Sequence, residues 1–238
     1  MEIQEFEKIV RRQEGALSSA FPALMRKVYV WMTLALAITG ICAYGVATSP
    51  ALLQLIYMNR AAIWILLFAE LGLVFYTTAR INRLSLSTAT TLFIVYAALN
   101  GVTMSFIFMA FTTATIAKVF FITAATFGAT AVYGYVTKAD LSKMSNLFLM
   151  ALFGLIIATV VNMFIKSSSL DLVLSYIGVV LFVGLTAWDS QQIKRMLSMQ
   201  VGLDEGAQKV ALIGALSLYL DFINLFLYLL RIFGRNDN

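Results

Sequence analysis

The amino-acid sequence predicts an all-α, polytopic membrane protein with seven transmembrane helices. Three observations point there. Of 238 residues, 61% are hydrophobic and only 12% are charged, with a mean hydropathy of +0.88. A soluble domain carries about 25% charged residues to clothe its surface. The apolar residues gather in long runs divided by short polar connections. Those runs reach the roughly 20 residues that a helix needs to cross a hydrocarbon core, and they lack the every-second-residue alternation of barrel strands.

Seven segments qualify in chain order: 28–48, 61–79, 87–110, 114–136, 146–165, 172–193 and 210–232. Residues 1–27 precede them, mostly polar, and are expected as a cytoplasmic N-terminal segment ahead of a transmembrane domain spanning 28–234. No small-residue cleavage pattern follows the first run, so a removed signal peptide is not expected. "SPALLQLIYMNR" and "ARINRLSLS" connect the first three spans. The third and fourth runs nearly merge, and "FTTAT" is where they divide. "TKADLSKMS", "KSSSLD" and "RMLSMQVGLDEGAQK" are the remaining connections, and "DEGAQKVAL" reads as helix outside the membrane. No internal repeat supports a fold of duplicated halves, and no span carries the GxxxG dimerisation pattern.

Charge sets an orientation. With the N-terminus inside, twelve of the 17 basic residues fall on the inner side: Lys8, Arg11, Arg12, Arg26, Lys27, Arg80, Arg83, Lys138, Lys143, Lys194, Arg195 and Lys209. Arg60, Lys118, Lys166, Arg231 and Arg235 fall outside. This asymmetry predicts a cytoplasmic N-terminus and, with an odd number of spans, a C-terminus outside. The net charge of +5 serves headgroup and inner-face anchoring, and nucleic-acid binding is not expected. Histidine is absent and Cys42 is the single cysteine, which removes zinc-protease motifs and intrachain disulfides. There is no phosphate-binding glycine loop, and no cofactor is expected.

The chemistry lies in acids placed within apolar helix. An ionised carboxylate at the bilayer centre costs about 2.5–3.5 kcal/mol on insertion scales. Asp221 lies midway between Lys209 and Arg231. Ser217, Asp221, Asn224 and Tyr228 follow at spacings of four, three and four, so they share one helical face that turns toward protein or water. Asp189 stands near the inner end of the preceding span, in "AWDS". If the two carboxylates meet, they cannot both ionise cheaply and titrate as a pair. Counted from Lys194 and Lys209, however, their depths differ by roughly 10 Å. Glu70 is a third mid-depth acid, on the second span with Thr77 on its face and Arg80 at the inner end. Tyr96, Asn100 and Thr103 on the third span, and Thr159 and Asn162 on the fifth, are expected to hydrogen-bond between helices. Two membrane aspartates formally permit an aspartyl protease, but the glycine-rich context of that chemistry is missing, and the protein is not expected to be an enzyme.

"LSLYLDFINLFLYLLRIFG" and "FVGLTAWDSQQIKRM", together with "LLFAELGLVFYTTAR", "LNGVTMSFIF" and "FGATAVYGY", resemble the Bax inhibitor-1 (transmembrane Bax inhibitor motif) family, in its bacterial inner-membrane branch. The resemblance covers residues 20–235. It implies a seven-helix bundle whose last helix is central, in the cell inner membrane. It implies a pH-sensitive calcium leak with a di-aspartyl sensor falling on Asp189 and Asp221, a second-helix acid falling on Glu70, and a basic latch falling on Arg80, with Arg83 as the alternative. Calcium is then a permeant, weakly held ion on Asp189 and Asp221, and the lipid bilayer and calcium are the expected partners. The resemblance also allows a second reading, as the alternative. In it the chain conducts nothing and regulates a membrane protease, another membrane protein or cell-death machinery. "EFEKIVRRQE", outside the resemblance, reads first as a solvated amphipathic lead-in and in this alternative as a cytoplasmic handle.

Overall fold

The computed structural model describes residues 2–200 and 202–234, with side chains from Ala20 onward except at residue 60. The elements are α1 (Glu2–Ala47), α2 (Pro50–Tyr57), α3 (Arg60–Arg80), α4 (Leu86–Met104), α5 (Ile107–Ala110), α6 (Thr113–Val136), a 3-10 turn (Leu141–Met144), α7 (Ser145–Ile165), α8 (Ser168–Ser198) and α9 (Glu205–Phe233). No strand occurs among the described residues. Among the described residues, seven helical stretches are long and apolar enough to cross a membrane. Each corresponds to one expected span.

The boundaries show where physical detail escaped hydropathy. The first apolar stretch begins at Ala20, within an α1 that continues unbroken past residue 27. The connection after it contains α2, which starts at Pro50 after Ser49, a position where proline's fixed φ and missing N–H suit a helix. The third span is interrupted between α4 and α5. There the Tyr57 hydroxyl donates to the freed carbonyl of Thr103 at 3.1 Å and lies 3.0 Å from Ser105 Oγ, a side-chain insertion that ends the helical ladder. The division at "FTTAT" is a helix start: Thr112 Oγ1 accepts from the Thr115 N–H at 3.2 Å. α9 opens at Glu205, so "DEGAQKVAL" is helical from its second residue, and Asp204 Oδ1 accepts from the Ala207 N–H. α7 closes on Lys166 in the left-handed region (φ 55).

The helices pack as two units. The first comprises Met1–Ser105 and Ile193–Leu216. In it α1 packs chiefly on α4. α1 buries Leu24, Val28, Met32, Ala35, Thr39, Ala43 and Val46, a three-to-four residue spacing that keeps one stripe on its partner. α4 answers with Ala89, Phe93, Ala97 and Gly101. At Gly101 a Cβ would meet the Thr39 carbonyl oxygen at 2.4 Å, and Thr39 Oγ1 donates to Ala97 O at 2.8 Å. Close backbone approach over small residues is how helices associate where lipid is as apolar as leucine.

The second unit comprises Phe106–Gln192 and Ser217–Asn238. A Cβ on Gly134 of α6 would lie 2.1 Å from the Ala187 carbonyl oxygen of α8. Phe222 of α9 lies between Phe120 and Phe127 of α6, with ring centroids at 5.5 and 5.4 Å. Taken over the chain, 67% of the apolar window of Glu205–Phe233 is buried, against 6% for Leu141–Ile165. The last helix is the most enclosed, and α7 is the most exposed.

Candidate functional site

The site is built from α7, α8 and α9 of the second unit. α8 and α9 run antiparallel there, and their register is fixed by Phe182 stacked on Tyr228 at 5.8 Å between centroids. Gly178 permits this, since a Cβ there would meet the Tyr228 ring at 2.7 Å. Asp189 lies seven residues after Phe182, and Asp221 seven before Tyr228. The same register that stacks the rings therefore brings the two carboxylates together. Their side chains are hydrogen-bonded to each other, and the Thr186 hydroxyl contacts Asp221. The depth difference expected from the basic residues disappears because Lys194 and Lys209 are not level: in the antiparallel register of Phe182 on Tyr228, Lys209 falls about seven residues beyond Lys194.

Two carboxylates have no donor of their own when both are ionised, so a hydrogen bond between them requires at least one proton. Asp221 is 4% exposed, and its Oδ2 is buried without a hydrogen-bond partner. Asp189 is less enclosed.

Both aspartates line a cavity of about 570 Å³, together with Ser217, Asn224 and Tyr228. The whole polar stripe of the last helix therefore faces one space. Asn224 Nδ2 donates to Leu220 O at 2.8 Å, which leaves its amide oxygen for the cavity. Tyr228 contacts Thr159 of α7 through its hydroxyl, so the fifth-span polar residue does join another helix. Asn162 instead accepts from the Ser167 N–H at 3.1 Å.

Glu70 occupies the first unit. It is 8% exposed, and Thr103 Oγ1 donates to its Oε1 at 2.5 Å, linking α3 to α4 as the third-span stripe leads one to expect. Asn100 Nδ2 lies 3.5 Å from the Tyr96 hydroxyl on the same face. Arg80 is exposed at the last turn of α3, and Arg83 is exposed in the turn after it. Both belong to the first unit.

Three contributors escaped the sequence reading. Thr186 lies three residues before Asp189, a spacing that puts it on the same face. Trp188 lines the cavity with its indole Nε1 buried and unpartnered. Gln191 ties the C-terminal part of α8 to the turn before α7, donating to Ala139 O at 2.8 Å and accepting from the Leu141 N–H at 2.9 Å. The side chains of "EFEKIVRRQE", and Arg235, lie outside the described residues.

A family model described as inhibitor of apoptosis-promoting Bax1 matches residues 22–238. The inner membrane protein YbhL of Escherichia coli is 47% identical over 211 residues, covering 88% of this chain and 90% of that protein. An uncharacterised protein of Borreliella burgdorferi is 42% identical over 227 residues, covering 95% and 97%. Another, from Deinococcus radiodurans, is 39% identical over 235 residues, covering 99% and 100%. A match over nearly the whole chain, on seven apolar helices with the most enclosed one last, makes this multi-pass membrane protein a member of the Bax inhibitor family.

Proposed function

We propose that the protein is a pH-sensitive cation leak, with calcium as its permeant ion and Asp189 and Asp221 as its sensor. The observation that carries this reading is the hydrogen-bonded aspartate pair on a polar-striped cavity inside apolar helix. In acid the shared proton holds the carboxyls together and limits the site to one negative charge. When that proton leaves, two buried anions repel, and a hard cation that takes oxygen ligands becomes favourable between them. Asn224 offers a further oxygen. Among the described residues no three acidic, cysteine or histidine ligands gather, so occupancy is weak and transient, as conduction requires. Repulsion at the pair biases α9 against α8, a local charge acting on a packed helix. Arg80 serves as the latch in this reading, and Glu70 lies on the ion's route. The chain sits in the inner membrane, as the name of its Escherichia coli relative states for that protein, with the N-terminus cytoplasmic and the C-terminus outside.

The test is calcium entry into proteoliposomes across roughly pH 5–8, a window in which a chain without histidine has few other groups to titrate. Wild type should leak with a pH dependence that Asp221→Asn abolishes. A full pH response in the variant would remove the sensor from this pair. Absence of flux above empty liposomes, with folded protein, would favour the regulatory reading. There, deletion of residues 2–20 should cost a partner without affecting any leak.

A further inference from the structure

The cavity is larger and more apolar than an ion needs. A water molecule occupies about 30 Å³ of liquid, whereas this space measures about 570 Å³. That falls within the roughly 300–1,000 Å³ of small-molecule pockets, which are apolar with a few placed polar groups. Its walls are Phe148 and Leu152 of α7, Phe182 and Trp188 of α8, and the polar face of α9. On the α7 side, Leu149 and Ile156 line the cavity and are themselves 53% and 50% exposed, so the space adjoins the surface that meets acyl chains in a bilayer.

Two buried polar atoms on this cavity have no partner, and they are of opposite kinds. Asp221 Oδ2 is a carboxyl oxygen able to accept. Trp188 Nε1 is a donor. Buried polar groups without partners are costly, and here both border one space with aromatic walls. We propose that the cavity binds an amphipathic amine: an ammonium group on Asp221, a neighbouring ether or hydroxyl oxygen accepting from Trp188 Nε1, and an apolar body among Phe148, Leu152 and Phe182. The aromatic faces add cation–π attraction for the ammonium. Entry is from the bilayer, past α7. The inference uses the site of the proposed leak and stands whether or not that site conducts, because binding is read without flux.

Propranolol is a suitable probe: a naphthyl body, an ether and hydroxyl, and a secondary amine. Radiolabelled propranolol is titrated against full-length protein in lipid nanodiscs, with empty nanodiscs as the background for partitioning. Wild type should show saturable binding of one probe per chain. The diol in which a hydroxyl replaces the amine should compete at least about tenfold more weakly, as should propranolol itself for Asp221→Asn. Leu152→Trp, which fills the apolar end, should lose binding while keeping the acid. The diol comparison uses unaltered protein, so a variant that misfolds does not decide the outcome. Purely non-saturable uptake equal to empty nanodiscs, or saturable binding equal for amine and diol, would overturn the assignment. Flux with no binding would leave the leak standing alone, and binding with no flux would leave the ligand site standing alone.

Discussion

Two buried acids in this chain solve the same electrostatic problem in different ways. Glu70, in the first unit, is buried and capped by the Thr103 hydroxyl of the neighbouring helix. Asp221, in the second, is paired with Asp189 and keeps an unpartnered oxygen on a cavity of about 570 Å³. A carboxyl satisfied by a neighbouring helix contributes adhesion, and a neutral acceptor would serve nearly as well. A carboxyl paired with its own kind contributes a charge state, and no neutral residue reproduces that. Burial alone therefore does not distinguish a sensor from glue; the partner does.

The sharpest way to break this comparison is to neutralise each acid in turn. Asp221→Asn should abolish the pH response of calcium flux in proteoliposomes. Glu70→Gln keeps an oxygen for the Thr103 hydroxyl, so the pH response should survive, with the flux rate alone altered. If Glu70→Gln also flattened the pH profile, the two acids would be equivalent and the distinction would fail.

A second contrast tests whether the aspartate pair depends on close helix approach. Gly134 lies against the Ala187 backbone of α8, two residues before Asp189, whereas a Cβ on Gly128 of the same helix meets nothing within 4 Å. Gly134→Leu should lower stability by about 1–3 kcal/mol or more, visible as reduced folded yield and earlier thermal aggregation. Gly128→Leu should be close to neutral. Equal effects would mean that helix propensity, rather than the α6–α8 contact, governs both positions.

The fold was legible because lipid imposes a length on apolar runs, and seven runs met it. The features it hid were short or local. α2 is eight residues long, too short for a span, and only Pro50 after Ser49 signalled it. The break before α5 depends on Tyr57, which lies far away in sequence. The last-helix stripe was legible from spacing, and its four polar residues do face one cavity. The meeting of Asp189 with Asp221 was not, because Lys194 and Lys209 serve as depth markers only if they are level, and the register of α8 on α9 offsets them. The wall supplied by α7 had no signal at all: Phe148 and Leu152 look like any lipid-facing residues. Trp188 stands beside the acid in sequence, yet only the packing reveals that its Nε1 lacks a partner.

A smaller effect measures the adhesion at Glu70 directly. Thr103→Val removes the donor and leaves the carboxyl uncapped. Hydrogen bonds between membrane helices average about 0.6 kcal/mol and reach about 2 kcal/mol, so reversible unfolding in mixed micelles should register a loss within that range. The pH response of flux should be unchanged. A loss far above the range would mean that Glu70 stays charged and that Thr103 stabilises the ion, which would draw it toward the character of the aspartate pair.

The smallest effect belongs to another acid of the second unit. Asp171 faces Arg231 at 3.7 Å, with side chains 46% and 41% exposed, and Arg231 also lies 5.4 Å from the Tyr228 ring. An exposed pair of this geometry contributes about 0–1 kcal/mol. Asp171→Asn should therefore shift stability by less than about 0.5 kcal/mol and leave the pH profile intact, because Arg231 retains its ring contact and the register of Phe182 on Tyr228 does not depend on the ion pair. If Asp171→Asn instead altered the pH profile, the charge pair would have to act through Tyr228 on the turn of α9 that leads to Asp221. The sensor would then extend two turns along the helix, and the contrast between a capped acid and a paired one would have to include the cation at its end.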